Sequence, residues 1–435
     1  MPHRLRHCII FLALLTSFSA AQGVPKIQRI DPPNWWAAFE PQVMLMLTGE
    51  GLGQATVTSS SINAHIVRTQ PGLDGKYLFV WLDTHSARPG NVMLTVRTNA
   101  GTANRNFPIL PRHDPQGLYS GVTPDDVIYL IMPDRFADGN TANDQPPGST
   151  GVNDRSQPKA YHGGDLLGIR QHLGYLHDLG VTTLWLTPVW KNSDSDYHGY
   201  HVVDFYAIDD HMGTLRDYHD LVADAHKLGI KVLIDYVVNH VGPNHPWAAA
   251  PPAQDWFHGT TNEHLDALYK FDGIVDPHAS AWESRRTLDG WFANKLPDLN
   301  PENPLVAQYA LDNALWWMEI AGLDAFRLDT FPYSSRRFWS GWNEGVFRNY
   351  PHTTTIGEVW DSDVTITSFF PGGRAPHDGI DTHLSTVFDF PLYFAIRDVV
   401  IKGQPVQRII DTLERDWLYP HPERLVTFIG NHDTR

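Results

Sequence analysis

Gly322-Leu323-Asp324-Ala325-Phe326-Arg327-Leu328-Asp329 reads as a helix stop, a short apolar strand and a carboxylate at the strand's end. The glycine suits a left-handed helix C-cap. The same junction occurs at Leu179-Gly180 and Leu228-Gly229, each with a helical pattern before it and a strand pattern after it. Leu166, Ile169, Leu173, Leu176 and Leu179 recur at helical spacing, as do Leu215, Leu221, Val222, Ala225 and Leu228. Seven apolar runs read as strands: Val127–Met132, Thr182–Leu186, Lys231–Ile234, Ala325–Leu328, Thr354–Ile356, Ser385–Phe388 and Leu425–Ile429. Alternating β and α segments give a parallel sheet. Gly180 and Gly229 are 49 residues apart and Gly229 and Gly322 are 93 apart, so an insertion follows the third strand, at about 241–300. The pattern predicts an α/β fold, a (β/α)8 TIM barrel with an inserted domain.

Outward from the barrel, residues 22–113 read as all-β. Val43–Leu47, Tyr77–Leu82 and Val92–Val96 are short strands bounded by Gly, Pro, Asp or Asn, the pattern of an immunoglobulin-like β-sandwich. Pro108, Pro111 and Pro115 mark a linker, and 114–435 is the barrel. At the N-terminus, Arg4 and Arg6 precede an apolar run from Cys8 to Leu15, and Ser19-Ala20-Ala21 follows. That is a secretory signal peptide over 1–21. Cys8 is the single cysteine, so no internal disulfide and no cysteine metal site exists. No later apolar run is long enough to span a membrane.

The chain has 435 residues, 33 Lys+Arg against 49 Asp+Glu, and a net charge of −16. Without a basic tract, a nucleic-acid partner is excluded. Charges instead gather at strand ends: Asp235 with Asn239-His240, Asp329, Glu358, and Asn431-His432-Asp433. In such barrels the reactive groups stand at the C-terminal ends of strands. Carboxylates converging there repel unless Arg327 and the histidines offset them, and that split of ionisation separates an acid from its neighbouring anion.

These segments resemble the α-amylase family of retaining glycoside hydrolases. Asp235-Tyr-Val-Val-Asn-His240, Gly322 to Asp329, Gly357-Glu358-Val-Trp360 and Asn431-His432-Asp433 match its motifs in order, and Leu296-Pro-Asp-Leu-Asn300 matches its extra motif. Ile30 to Trp36, Gly49 and Tyr77-Leu-Phe-Val80 resemble the sandwich of the cyclomaltodextrinase and neopullulanase branch. The resemblance implies hydrolysis of α-1,4-glucosidic bonds in starch-type glucans, maltooligosaccharides or cyclodextrins. Asp329 would be the nucleophile, Glu358 the acid/base and Asp433 the third catalytic carboxylate. Asp235, His240, Arg327, His432, His198 and Tyr200 would bind substrate. A transglycosylase, or an inactive glucan-binding protein, would use the same residues. Two departures stand out: Thr330-Phe331 occupies the region where other branches carry Lys-His, and His201 replaces an aromatic after Tyr200.

Asp138, Asn140, Asn143, Asp144, Asp165 and the Gly163 carbonyl resemble the family's calcium site, and such alternating oxygens are what a hard cation takes. Asn239 and Asp298 offer a second set. The resemblance also implies export to the bacterial periplasm and a homodimer paired through the sandwich. It further implies a barrel incomplete at its C-terminal end, because the chain stops at Arg435 where the family continues.

Overall fold

The computed structural model describes residues 23–112, 118–193 and 196–434. The signal-peptide segment and Pro115 lie outside them. Eight strands precede the barrel: β1 (Lys26–Asp31), β2 (Trp35–Trp36), β3 (Gln42–Glu50), β4 (Thr56–Ser59), β5 (His65–Pro71), β6 (Tyr77–Asp83), β7 (Gly90–Thr98) and β8 (Gly101–Leu110). They form two four-stranded sheets, β1-β3-β6-β5 and β2-β8-β7-β4. In β7 the buried residues alternate (Val92, Leu94, Val96), as expected of a strand with one face on the core. Val43 to Leu47 in β3 are buried without alternation, because β3 is covered on both faces, by the sandwich core and by the barrel helix Pro304–Ala321. Pro108, expected in a linker, lies within β8 opposite Asn91.

The barrel strands are β9 (Ile128–Ile131), β10 (Thr183–Leu186), β13 (Lys231–Tyr236), β16 (Ala325–Leu328), β17 (Thr354–Gly357) and β18 (Thr386–Val387), with a small ribbon, β11 (Trp190–Asn192) and β12 (Val202–Ile208), between β10 and β13. The six pair in parallel in the order β18-β17-β16-β13-β10-β9. Leu425–Ile429, expected as a seventh strand, makes one parallel bridge, Val426 to Phe388, and Ile429 is exposed. Among the described residues nothing pairs with its far edge, so the ladder does not extend. Gly180, Gly229 and Gly322 take φ of 89°, 73° and 73°, the left-handed helix ends that their positions called for. The helix expected through Leu166–Leu179 is broken into Leu166–Gln171 and Leu173–Asp178 at His172, whose Nδ1 lies 2.7 Å from the Gly168 carbonyl. Leu179 is exposed beyond the second piece.

The inserted segment, which carries a two-residue pair, β14 (Leu265–Asp266) with β15 (Gly290–Trp291), leaves and returns at the tip of β13. His240 bridges Asp298, and Leu299 N–H donates to the Asn239 carbonyl at 2.8 Å.

Sandwich and barrel share a polar seam, part-buried at Arg29 and Asp204 and buried at Asp31 and Asp312. Arg29 binds Asp31 and, through both terminal nitrogens, Asp204. Asp312 accepts from the Met44 N–H at 3.0 Å and from Gln308 at 2.9 Å, with no cation beside it. Burial pushes the Asp312 carboxyl up to about 8. Its neutral form therefore stabilises the fold at low pH, and that contribution is lost as pH rises through 8. Asp312→Asn is expected to gain on the parent protein by ~1 kcal/mol or more between pH 5 and pH 8, read from urea midpoints.

Candidate active site

Strand alternation assembles the site. Leu233, Ala325 and Ile356 form an apolar layer inside the barrel. Two residues further along each strand, on the same face, stand Asp235, Arg327 and Glu358. Register places Asp235 beside Arg327, and Glu358 N–H donates to the Leu328 carbonyl at 3.0 Å. Arg327 is 1% exposed. One terminal nitrogen is 2.7 Å from Asp235 Oδ1 and 2.5 Å from Asp329 Oδ1, and the other is 2.8 Å from Glu358 Oε1. Asp235 also accepts from Trp185 Nε1 at 2.9 Å and from the Tyr200 hydroxyl at 2.8 Å.

Burial raises the carboxyls of Asp329 and Glu358, while the Arg327 charge opposes the rise. Asp433, further out, is pushed up to about 6 by burial and by the Glu358 charge. His240 and His432 are held neutral, both pushed down to about 3, chiefly by burial. His432 Nε2 lies 2.8 Å from the Tyr200 hydroxyl and 3.1 Å from Asp433. His240 stacks on Phe292 and sits 3.2 Å from the Tyr200 carbonyl.

A cleft of about 680 Å³ is lined by Asp329, Glu358, Asp433, His240, His432, His198 and Tyr200 together. Asp235 and Arg327 lie beneath it. The residues expected to act on or bind substrate thus meet at one barrel mouth, while the expected metal ligands lie elsewhere. Trp185, Thr330 and the aromatic rim of Tyr269, Phe292 and Tyr333 join them without a motif to announce them. Trp185 was legible only through register: it is an inward position of β10, next to β13. Trp360 follows Glu358 on the rim, 40% exposed. Trp316 and Trp317 are core.

Thr330 has φ 47° and ψ 39°, a left-handed conformation that is a true outlier for a β-branched residue and costs about 1–2 kcal/mol. The next residues hold it there. Phe331 is fully buried and stacked on Trp339, whose Nε1 donates to the Phe331 carbonyl at 2.8 Å, and Tyr333 N–H donates to the Thr330 carbonyl at 3.0 Å.

Three other clusters bear on metals. His198 Nε2 and His201 Nδ1 lie 3.4 and 2.6 Å from Asp196, close enough together to suggest a cation site. But His198 Nδ1 accepts from the Tyr200 N–H at 3.1 Å, so its proton sits on Nε2, facing the carboxylate. That is a hydrogen-bonded chain rather than a ligand set. The loop from Asp138 to Asp165 differs. Asp138 Oδ1, Asn143 Oδ1 and Asp144 Oδ1 are buried acceptors without a donor. Gly163, at φ 84°, leaves so little room that a Cβ would stand 2.6 Å from Asp144 Oδ1. Unpartnered buried oxygens are costly alone and fit a hard cation. Asp165 accepts from the N–H groups of Gly139, Asn140 and Gly168 at 3.2, 2.8 and 2.6 Å, folding the loop on itself, and Asn140 Oδ1 takes the Ala142 N–H at 3.2 Å. The second set fails: Asp298 is taken up by His258 at 2.6 Å and by the Asn239 amide at 2.9 Å.

Residues 130–435 match the alpha amylase catalytic domain, and residues 29–113 the cyclomaltodextrinase N-terminal domain. The chain belongs to the α-amylase family. It is 32% identical over 321 residues to neopullulanase 2 of Thermoactinomyces vulgaris, covering 71% of this chain and 50% of that protein. The beta/alpha-amylase of Paenibacillus polymyxa is 33% identical over 313 residues, 71% of this chain and 24% of that one. Among solved structures, an Anoxybacillus alpha-amylase superposes with a TM-score of 0.61 at 36% identity, over 72% of this chain and 62% of its own. The chain spans a quarter to a half of the length of these curated relatives. No helix among the described residues is long and apolar enough to cross a membrane.

Arg327→Met leaves Asp235, Asp329 and Glu358 buried without their cation. A loss of about 3–5 kcal/mol is expected at pH 8. The carboxyls already titrate high, so protonation relieves them in acid, and denaturant unfolding at pH 5 should show a smaller deficit.

Proposed function

We propose that this chain carries the catalytic centre of a retaining hydrolase of α-1,4-glucans, acting on starch-type polymers, maltooligosaccharides or cyclodextrins. The observation that carries the reading is one buried guanidinium shared by Asp329 and Glu358. Burial raises both carboxyls and the guanidinium opposes the rise in each, so one can be anionic while its neighbour is protonated; in this reading the anion is Asp329, beneath the sugar ring, and the acid is Glu358. Asp329 attacks C1, the glycosidic C1–O bond breaks, and Glu358 gives its proton to the departing oxygen. A water molecule then loses a proton to Glu358 and attacks C1, releasing Asp329. Neutral His240 and His432, with His198, Tyr200 and Asp433, bind the hydroxyls of the distorted ring. Asp235 holds Arg327. The names of the relative neopullulanase 2 and of the matched cyclomaltodextrinase N-terminal domain support the substrate class.

In this reading residues 22–113 are the sandwich, 114–435 the catalytic barrel and 241–300 its inserted domain. Calcium would be held by Asp138, Asn140, Asn143, Asp144, Asp165 and the Gly163 carbonyl. Its chemistry there is charge neutralisation and loop clamping. Export to the periplasm, and pairing of two copies through the sandwich, rest on the family likeness and the N-terminal segment.

Release of sugar from maltoheptaose, β-cyclodextrin and pullulan tests the reading, with the first-formed anomer followed by proton NMR. Wild type should release the α-anomer, and Asp329→Asn and Glu358→Gln should each lose about 10³-fold or more. A β-anomer, or full activity in either variant, overturns it. For the loop, chelation should lower Tm by several degrees and added calcium should restore it, with Asp144→Ala blunting both changes.

A further inference from the structure

Thr330 touches both reacting carboxylates. Its N–H donates to Glu358 Oε2 at 2.9 Å, and its hydroxyl donates to Asp329 Oδ2 at 3.2 Å. These are the oxygens that Arg327 leaves unused, since the guanidinium takes Asp329 Oδ1 and Glu358 Oε1. We propose that Thr330 is a positioning residue that sets the nucleophile and the acid/base against each other, its hydroxyl aiming and stabilising the free oxygen of Asp329 and its N–H fixing Glu358. The inference rests on the retaining reading of the site.

Three features carry it. The residue is buried and lines the cleft beside both acids. Its left-handed backbone turns the N–H toward Glu358 while Oγ1 stays against Asp329. The conformation is braced by Phe331, Trp339 and Tyr333 as well as by the two carboxylates. The titratable and charged groups around Asp329 are Arg327 and Tyr333 from its own segment, Asp235 from β13, Glu358 at the end of β17, Tyr200 from the loop before β12, and Asp433, with neutral His240 and His432 lining the same cleft and the Thr330 hydroxyl beside it. Only Arg327 and Thr330 donate to it among the described hydrogen bonds. Removing the hydroxyl takes one neutral donor from the anion and raises the pH at which it ionises.

The test uses 5-fluoro-α-D-glucosyl fluoride, whose leaving group needs no acid. The Asp329 Oδ–C1 bond forms, the C1–F bond breaks and fluoride leaves with the electron pair, so mass gain on Asp329 reports the nucleophile alone. The rate of labelling is followed from pH 3 to 8 in wild type, Thr330→Val and Thr330→Ser. Wild type should show an acid limb. Thr330→Val should move that limb up by about 0.5–1 unit and slow labelling by roughly 3–10-fold, with Thr330→Ser following wild type. Should the valine variant not fold, Thr330→Ala removes the same hydroxyl with less bulk. A limb that stays in place without the hydroxyl, or moves equally in Thr330→Ser, overturns the inference and leaves the retaining reading intact. Absence of labelling in wild type, with Asp329→Asn as control, overturns the reading beneath it.

Discussion

The site depends on one buried cation. Arg327 sits at the floor of the cleft with three carboxylates on its two terminal nitrogens. Water cannot stabilise these charges, so each of them relies on the others. Three anions on one cation leave an excess of negative charge, which neutral tyrosine and indole donors spread at Asp235. The same excess makes protonation of one carboxyl cheap. A single unbalanced cluster of this kind allows a protonated carboxyl beside an anionic one.

Much of this was legible in the sequence because strand periodicity is strict. Asp235, Arg327 and Glu358 each stand two residues beyond an inward apolar residue, so once the parallel order was read their convergence followed. Helix stops were equally plain, since only glycine adopts the left-handed turn at Gly180, Gly229 and Gly322 without a steric penalty. What stayed hidden depended on contacts between distant segments. Trp185 looks like an ordinary strand aromatic until β13 is beside it. Tyr269 and Phe292 come from an insertion without periodicity. The break at His172 answers to a local side-chain bond rather than to the leucine spacing. Val426 shows the converse: an apolar run is strand-like, but a ladder needs a neighbour to grow against.

The sandwich is fastened to the barrel by burial and by unusual polar contacts. β3 lies against the Pro304–Ala321 helix, which in turn precedes Gly322 and β16, the strand bearing Arg327. Trp316 Nε1 reaches Asn34 at 3.1 Å, and Asp312 holds the β3 backbone. The accessory domain therefore braces the very helix that delivers the central cation. Disturbing that seam strains the route to the site rather than a remote surface.

The excursion that departs after His240 and comes home at Asp298 has its two feet on neighbouring rungs, locked by the Leu299–Asn239 hydrogen bond. Loop-closure entropy is already met at that clasp, so the length and sequence in between are nearly uncoupled from the floor of the cleft. Tyr269 and Phe292 from this segment shape the groove above, and they meet the floor through Tyr333 and His240. The carboxyls of the floor belong to strand ends, and the aromatic wall above them belongs to a segment clasped at its own base.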